Sequence, residues 1–205
     1  MHNSFLQKFT LLVLLVSIIA CGPQVDEAYR AQLSTERMQE NETFFNPETS
    51  PLDSAELLHF GGLKYFPIHE QWKVKASLER FQNQDTFSLP HSHERTKPYR
   101  RYGKVKFTLL NTACELIVLE SANKKPGYEN YLLVCFRDQS SGKTTYEAGR
   151  YLDITIPEGN EVELDFNKAY NPYCAYSDRF TCPIPPQENF IPLAVEAGVK
   201  YSGEH

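Results

Sequence analysis

Tyr151-Leu152-Asp153-Ile154-Thr155-Ile156-Pro157-Glu158-Gly159-Asn160-Glu161-Val162-Glu163-Leu164-Asp165-Phe166 decides the fold class. Leu152, Ile154 and Ile156 alternate with Asp153 and Thr155, and Val162, Leu164 and Phe166 alternate with Glu163 and Asp165 beyond the turn-forming Pro157 to Asn160. A two-residue period sends successive side chains to opposite faces of a strand, so each run reads as a half-buried strand and the pair as a hairpin. Register is then constrained, because a slip of one residue would turn the whole apolar set outward. Tyr151, Asp153, Asp165 and Asn167 gather on the opposite face.

The same period recurs upstream. Trp72, Val74, Ala76 and Leu78 alternate with Lys73, Lys75, Ser77 and Glu79, and Tyr102 to Leu110 reads as a further strand. Glu115 to Glu120 and Tyr131 to Arg137 flank a turn at Lys125-Pro126-Gly127, and a second turn at Ser140 to Lys143 leads into a strand from Thr144 to Ile156. Phe190 to Val199 is the last strand, confined to an edge or to the start of pairing by Pro192. Helical signals lie ahead of these strands. Val25 to Asn41 has no Gly or Pro and few apolar anchors (Tyr29, Leu33, Met38), reading as a solvent-rich helix or a tether. Asp53 with Glu56 forms a capping box for a short helix that Gly61-Gly62 would end. The expected fold is mainly β (β-rich α+β), a compact antiparallel barrel or sandwich with an N-terminal helix.

Asp165 to Tyr176, continued by Cys182 to Asn189, packs cysteines, tyrosines and prolines into a run too irregular for a helix and too Pro-rich for a central strand. It reads as a rigid clasp or a binding surface. Cys174 and Cys182 are most simply a disulfide stapling this loop, with a metal site or free thiols as alternatives. If the hairpin around Lys125-Pro126-Gly127 is symmetric, Cys114 falls opposite Cys135, at a separation compatible with a disulfide or with two buried free thiols.

The formal net charge of −5 and the lack of a basic stripe argue against nucleic acid as a partner. At the N-terminus, Lys8 precedes an apolar run from Phe9 to Ile19, too short to span a bilayer but suited to a signal peptide. Ile18-Ile19-Ala20-Cys21, followed by Gly22-Pro23, resembles a bacterial lipobox. The resemblance implies lipidation of Cys21 and anchoring to the cell envelope, with Gly22 pointing to the outer membrane, periplasmic or surface-facing. The expected organisation is a signal peptide over 1–20, a tether and helix over 21–50 and a β-rich domain over 51–205.

Several longer stretches carry a family resemblance. Ser50-Pro51-Leu52, Gly62-Leu63-Lys64-Tyr65-Phe66, Arg101-Tyr102-Gly103, Phe136-Arg137-Asp138 with Ser141-Gly142, Tyr146 to Leu152, and Asp165 to Asn189 together resemble domain-of-unknown-function (DUF) family 1684. The resemblance covers nearly all of the mature chain. It implies no activity, substrate or cofactor.

Candidate chemistry follows from residue type. Arg137, Tyr146, Arg150, Asp153, Asp165, Asn167, Tyr170 and Asn171 supply donors and acceptors suited to a small polar or anionic ligand, with arginine best shaped for bidentate recognition. The first expectation is a binding module built on these eight. The alternatives are an envelope hydrolase using Asp153 or Asp165 as acid or base, and a structural lipoprotein in which the same residues satisfy one another. His91, His93 and Glu94 read as a polar loop, so no metal site is assigned. No phosphate loop, dinucleotide fingerprint, nucleophile elbow or zinc-protease motif occurs, and no cofactor or catalytic residue is named.

Overall fold

The computed structural model describes residues 26–201; the lipobox and Cys21 lie outside them. Helix α1 (Glu27–Phe45) starts at Asp26, whose side chain accepts from Ala28 N, and α2 (Ser54–His59) starts at Asp53. The capping box at α2 is complete: Asp53 Oδ1 accepts from Glu56 N and Glu56 Oε2 accepts from Asp53 N, both at 2.8 Å. Eight strands follow: β1 (Lys73–Arg80), β2 (Thr86–His91), β3 (Arg95–Leu109), β4 (Thr112–Ser121), β5 (Tyr131–Asp138), β6 (Arg150–Thr155), β7 (Glu161–Asp165) and β8 (Phe190–Ile191). They form one sheet in the order β6-β5-β4-β3-β1-β7, with β2 added to β3 and β8 running parallel to β5. This sheet curls into a mostly antiparallel, nearly closed barrel.

The predicted apolar face is real but the predicted partner is not. Leu152, Ile154, Leu164 and Phe166 all enter the barrel interior, and Ile156 and Val162 pack against it. Yet β6 pairs with β5 and β7 pairs with β1, Val74 standing opposite Leu164 and Leu132 opposite Ile154. The turn from Pro157 to Asn160 therefore crosses the barrel seam. Arg80 gathers it: Nη2 donates to Pro157 O and Gly159 O at 2.8 Å each, and Nη1 to Asn160 Oδ1 at 2.5 Å. Leu78 N donates to Asn160 O at 2.8 Å, which hands the chain from the seam to β1. At the far end, Tyr151 and Tyr170 exchange backbone hydrogen bonds of 2.9 and 3.1 Å and bridge β6 to the segment after β7.

Both faces of the sheet are covered. The interior holds Leu78, Val105, Leu116, Val134 and Phe166, while Leu89, Ile117, Leu119, Leu133, Cys135 and Tyr151 form a second core outside, beneath β2 and the clasp. Cys114 lies in the first core and Cys135 in the second, so no bridge joins them. Leu119 pairs with Leu133, and Cys114 stands level with Phe107 of β3 instead. Burial raises both thiols, Cys135 to about 12, as suits inert core residues.

Between β4 and β5 the ladder is opened by a side chain. Asn189, fully buried, accepts from Ile117 N at 2.7 Å and donates to Ile117 O at 2.9 Å and Cys135 O at 2.7 Å. An amide imitating a strand satisfies backbone groups that would otherwise be stranded. Gly103 serves the bend in β3: a bulge lies between Arg101 and Gly103, and a Cβ there would stand 2.5 Å from Glu79 O.

Two further expectations are corrected. Residues 139–149 are not strand, because the Asp138 carboxylate folds them back by accepting from Ser140 N at 2.6 Å and Ser140 Oγ at 2.5 Å. The last strand shrinks to Phe190–Ile191, held beside β5 by Arg137 N to Asn189 O at 2.9 Å. Helix α1 is docked rather than free: Leu33 and Phe44 are buried, although Met38 is 65 % exposed. Among the described residues no helix is long and apolar enough to cross a membrane.

Asn189→Ala should strand three buried backbone groups. Each costs about 1–3 kcal/mol when left unmade, so urea unfolding should show a loss of about 3 kcal/mol or more.

Candidate functional site

The eight residues singled out from the sequence do not meet at one place. Arg150 is 1 % exposed and bound inside the fold: Nη2 donates to Asp138 Oδ2 at 2.9 Å and to Val195 O at 2.7 Å, and Nη1 to Ala197 O. Burial pulls this guanidinium down from its usual value, against the opposing pull of Asp138. Asp138 takes Val195 N at 3.3 Å as well, so one ion pair ties the β5–β6 hairpin to the C-terminal segment.

Asp165 and Asn167 form a second network. Asp165 Oδ2 accepts from Tyr29 Oη at 2.6 Å, and Oδ1 accepts from Asn167 N at 3.1 Å and Nδ2 at 3.0 Å. Asn167 also exchanges hydrogen bonds with the backbone of His69. Arg37 donates to Phe66 O and Asn167 O at 3.0 and 3.1 Å and stacks on the Tyr65 ring, so α1 is strapped to the barrel by polar side chains. With both oxygens so engaged, Asp165 is poorly placed to exchange protons with a substrate.

Asp153 is exposed, and its Oδ1 accepts from Tyr131 Oη at 2.9 Å and Tyr170 Oη at 2.7 Å. Burial first, and then the carboxylate, raise both phenols far above their usual value. Asp153, Asp165 and Tyr170 do share a groove of about 330 Å³ at the barrel seam, with Glu163 and Lys168. Asn171 is buried beside the Tyr176 hydroxyl, to which it donates at 2.9 Å. Arg137 is half-buried on β5, its stem beside Gly149. That glycine has φ +102°, and a Cβ on it would collide with Phe136 O and Pro185 of the clasp.

The expected staple in the clasp is not formed: Cys174 and Cys182 are free thiols. They nonetheless touch, because Cys174 N donates to Cys182 Sγ at 3.3 Å. Tyr146 belongs to this cluster through its hydroxyl on the Cys174 sulfur. His91 is buried with Nδ1 against Leu89 O at 3.0 Å, and burial lowers its pKa. Among the described residues no three His, Cys, Asp or Glu side chains are grouped to hold a metal ion.

A second concavity is lined by residues outside the eight singled out. Backbone bonds from Lys200 N to Lys64 O (2.7 Å), Phe66 N to Gly198 O (2.9 Å) and Tyr201 N to Thr144 O (3.0 Å) bring three loops together. Their junction leaves a crevice of about 480 Å³. Phe60, Leu63, Tyr176 and Tyr201 give it apolar walls, and Lys64, Lys143, Lys200 and His59 ring it, with no carboxylate in its lining. Lys64 Nζ reaches Gly61 O at 2.9 Å and Lys200 Nζ lies 4.7 Å from the Phe66 ring centroid. Lys143 is exposed and has no ion pair among the described residues. Each lysine stands alone in the sequence, and the signals for this region were Gly61 to Phe66 and Tyr176.

A two-core β-barrel whose outer core is roofed by a Pro-rich clasp is the class this architecture defines. The chain belongs to the family described as "Protein of unknown function (DUF1684)", which it matches over residues 58–200. It is similar to an uncharacterized protein from gene locus rrnAC0354 of Haloarcula marismortui, solved by solution NMR. The two are 33 % identical with a TM-score of 0.68, over 87 % of this chain and 97 % of that one. No curated protein matches.

Arg150→Met should cost about 3–5 kcal/mol in denaturant unfolding by leaving Asp138 buried without its cation. Adding Asp138→Leu should recover part of that loss, since the pair removed together leaves no unpaired charge. Tyr29→Phe, removing one hydrogen bond to a carboxylate, should cost about 1.5 kcal/mol by the same measurement.

Proposed function

We propose that this protein is a non-enzymatic binding module for a small anionic ligand with an apolar or aromatic body, seated in the crevice between Phe60, Lys143 and Tyr201. The observation that carries the reading is the pairing of an aromatic wall with four basic side chains and no carboxylate in the lining. Apolar walls supply area to bury, and lysines at the mouth add attraction for a negative group without fixing its geometry. The volume of about 480 Å³ suits a small molecule rather than a macromolecule. The Asp153 and Asp165 groove supports a hydrolase less well, because Asp165 is committed to Tyr29 and Asn167.

The cellular setting belongs to the same proposal. The lipobox-like Ile18 to Cys21 supports a module held at the bacterial envelope by lipid on Cys21, facing the periplasm or the exterior.

The binding test uses 8-anilinonaphthalene-1-sulfonate, an aromatic sulfonate, with the folded protein and fluorescence titration. Saturable one-to-one binding is expected, weakened about tenfold by Lys143→Glu, or about 1.4 kcal/mol, and unchanged by Lys106→Glu outside the crevice. Equal affinity in all three proteins would refute the site. For the anchor, metabolic labelling with an alkyne fatty acid should tag the wild-type chain and not Cys21→Ser; equal labelling, or none of either, would refute it.

A further inference from the structure

We propose that Cys174 and Cys182 form a reversible dithiol site, in which Cys174 attacks small disulfides and Cys182 resolves the mixed disulfide. The two sulfurs belong to opposite ends of a short turn in the clasp, and the Cys174 N–H already touches the Cys182 sulfur at 3.3 Å. Both residues are half-buried, unlike Cys114 and Cys135, so reagent can reach them. The clasp there is tied to the end of β2: Cys182 N donates to Ser92 Oγ at 3.1 Å, and Ser92 N donates to Cys182 O at 3.0 Å. The pair is therefore held in place whether or not it is bonded.

The environment separates the two thiols. The Cys182 thiol, then the Ser92 and Tyr146 hydroxyls, offer hydrogen bonds to the Cys174 sulfur, and together they lower it to about 7 despite partial burial. Cys182 is raised, first because it is the donor to Cys174 and then by desolvation. The other titratable groups facing the pair are Tyr146 from the β5–β6 loop, Lys97 and Tyr99 from β3, and Tyr151 from β6. The three phenols are raised by burial and stay neutral at pH 7, so Lys97 is the cation beside the pair.

The Cys174 thiolate attacks one sulfur of a low-molecular-weight disulfide, forming a protein mixed disulfide and expelling one thiolate, which takes a proton from solvent. Cys182 then loses its proton, attacks the Cys174 sulfur and expels the second thiolate. Two protein thiols become one disulfide while the small disulfide is reduced to two thiols. Oxidation would close the clasp covalently above the outer core, and reduction would reopen it.

The test uses the reduced full chain with bis(2-hydroxyethyl) disulfide and peptide mass mapping. Wild type should lose two hydrogens across the Cys174 and Cys182 peptides, and millimolar dithiothreitol should restore them under native conditions. Cys182→Ser should stop at a mixed disulfide on Cys174. Cys182→Ser should react faster than Cys174→Ser, because Ser92 and Tyr146 still offer hydrogen bonds to the Cys174 sulfur whereas Cys182 stays desolvated. A disulfide that resists dithiothreitol until the chain is denatured would mean a permanent staple and overturn the proposal, as would no internal disulfide at all, or a faster Cys174→Ser. Should either variant fail to fold, limiting iodoacetamide on wild type decides: Cys174 labelled before Cys182 supports the assignment, and the reverse order overturns it.

Discussion

The buried ion pair between Arg150 and Asp138 is the constraint on which the rest of the fold depends. Taking both charges out of water costs several kcal/mol each, and their attraction offsets this only if every remaining polar atom is used. Here nearly all are. The guanidinium reaches the carbonyls of Val195, Ala197 and Val199, the carboxylate holds Ser140 and Val195, and only Arg150 Nε lacks a partner. Replacing such a pair by apolar residues is often neutral in energy, but its directional hydrogen bonds hold the segments it joins in one register. It fixes where the C-terminal segment lies against β5 and β6, and hence where Tyr201 meets Thr144 at the crevice.

The same device recurs at smaller scale. Asn189 stands in for a strand between β4 and β5, Asn167 and Asp165 fasten α1 and the His69 segment, and Arg80 gathers the seam turn. Polar side chains here do what a longer apolar stripe would do in a larger domain. Helix α1 shows why this is needed: only Leu33 and Phe44 are buried along it, too little to dock it by area alone.

This use of polar residues explains how far the site was legible beforehand. Arginine, aspartate and asparagine in a Pro-rich context read as a ligand site because a one-dimensional pattern carries no partner. Arg150 was selected, while Asp138, its counter-ion, stood only within a family motif. Strand positions were legible because β1 and the Leu152 to Phe166 alternation follow a period of two, and β5 is a short continuous apolar run bounded by turn signals. Pairing was not, since β6 and β7 are adjacent in sequence yet belong to opposite edges of the sheet. The Asp53 capping box was legible in full because its partners lie within three residues.

The sequence by itself determined which side of β1 and of the Leu152 to Phe166 strands is apolar, where helix α2 begins, and membership of a mostly β class, because those features depend on neighbours a few positions apart. Tertiary structure decided the rest. It chose the strand partners, sent Cys114 and Cys135 to different faces, placed Cys174 against Cys182 as thiols, and assembled Lys64, Lys143 and Lys200 around one crevice. These contacts lie between residues separated along the chain, and the nearly closed barrel with its second outer core brings them within reach of one another.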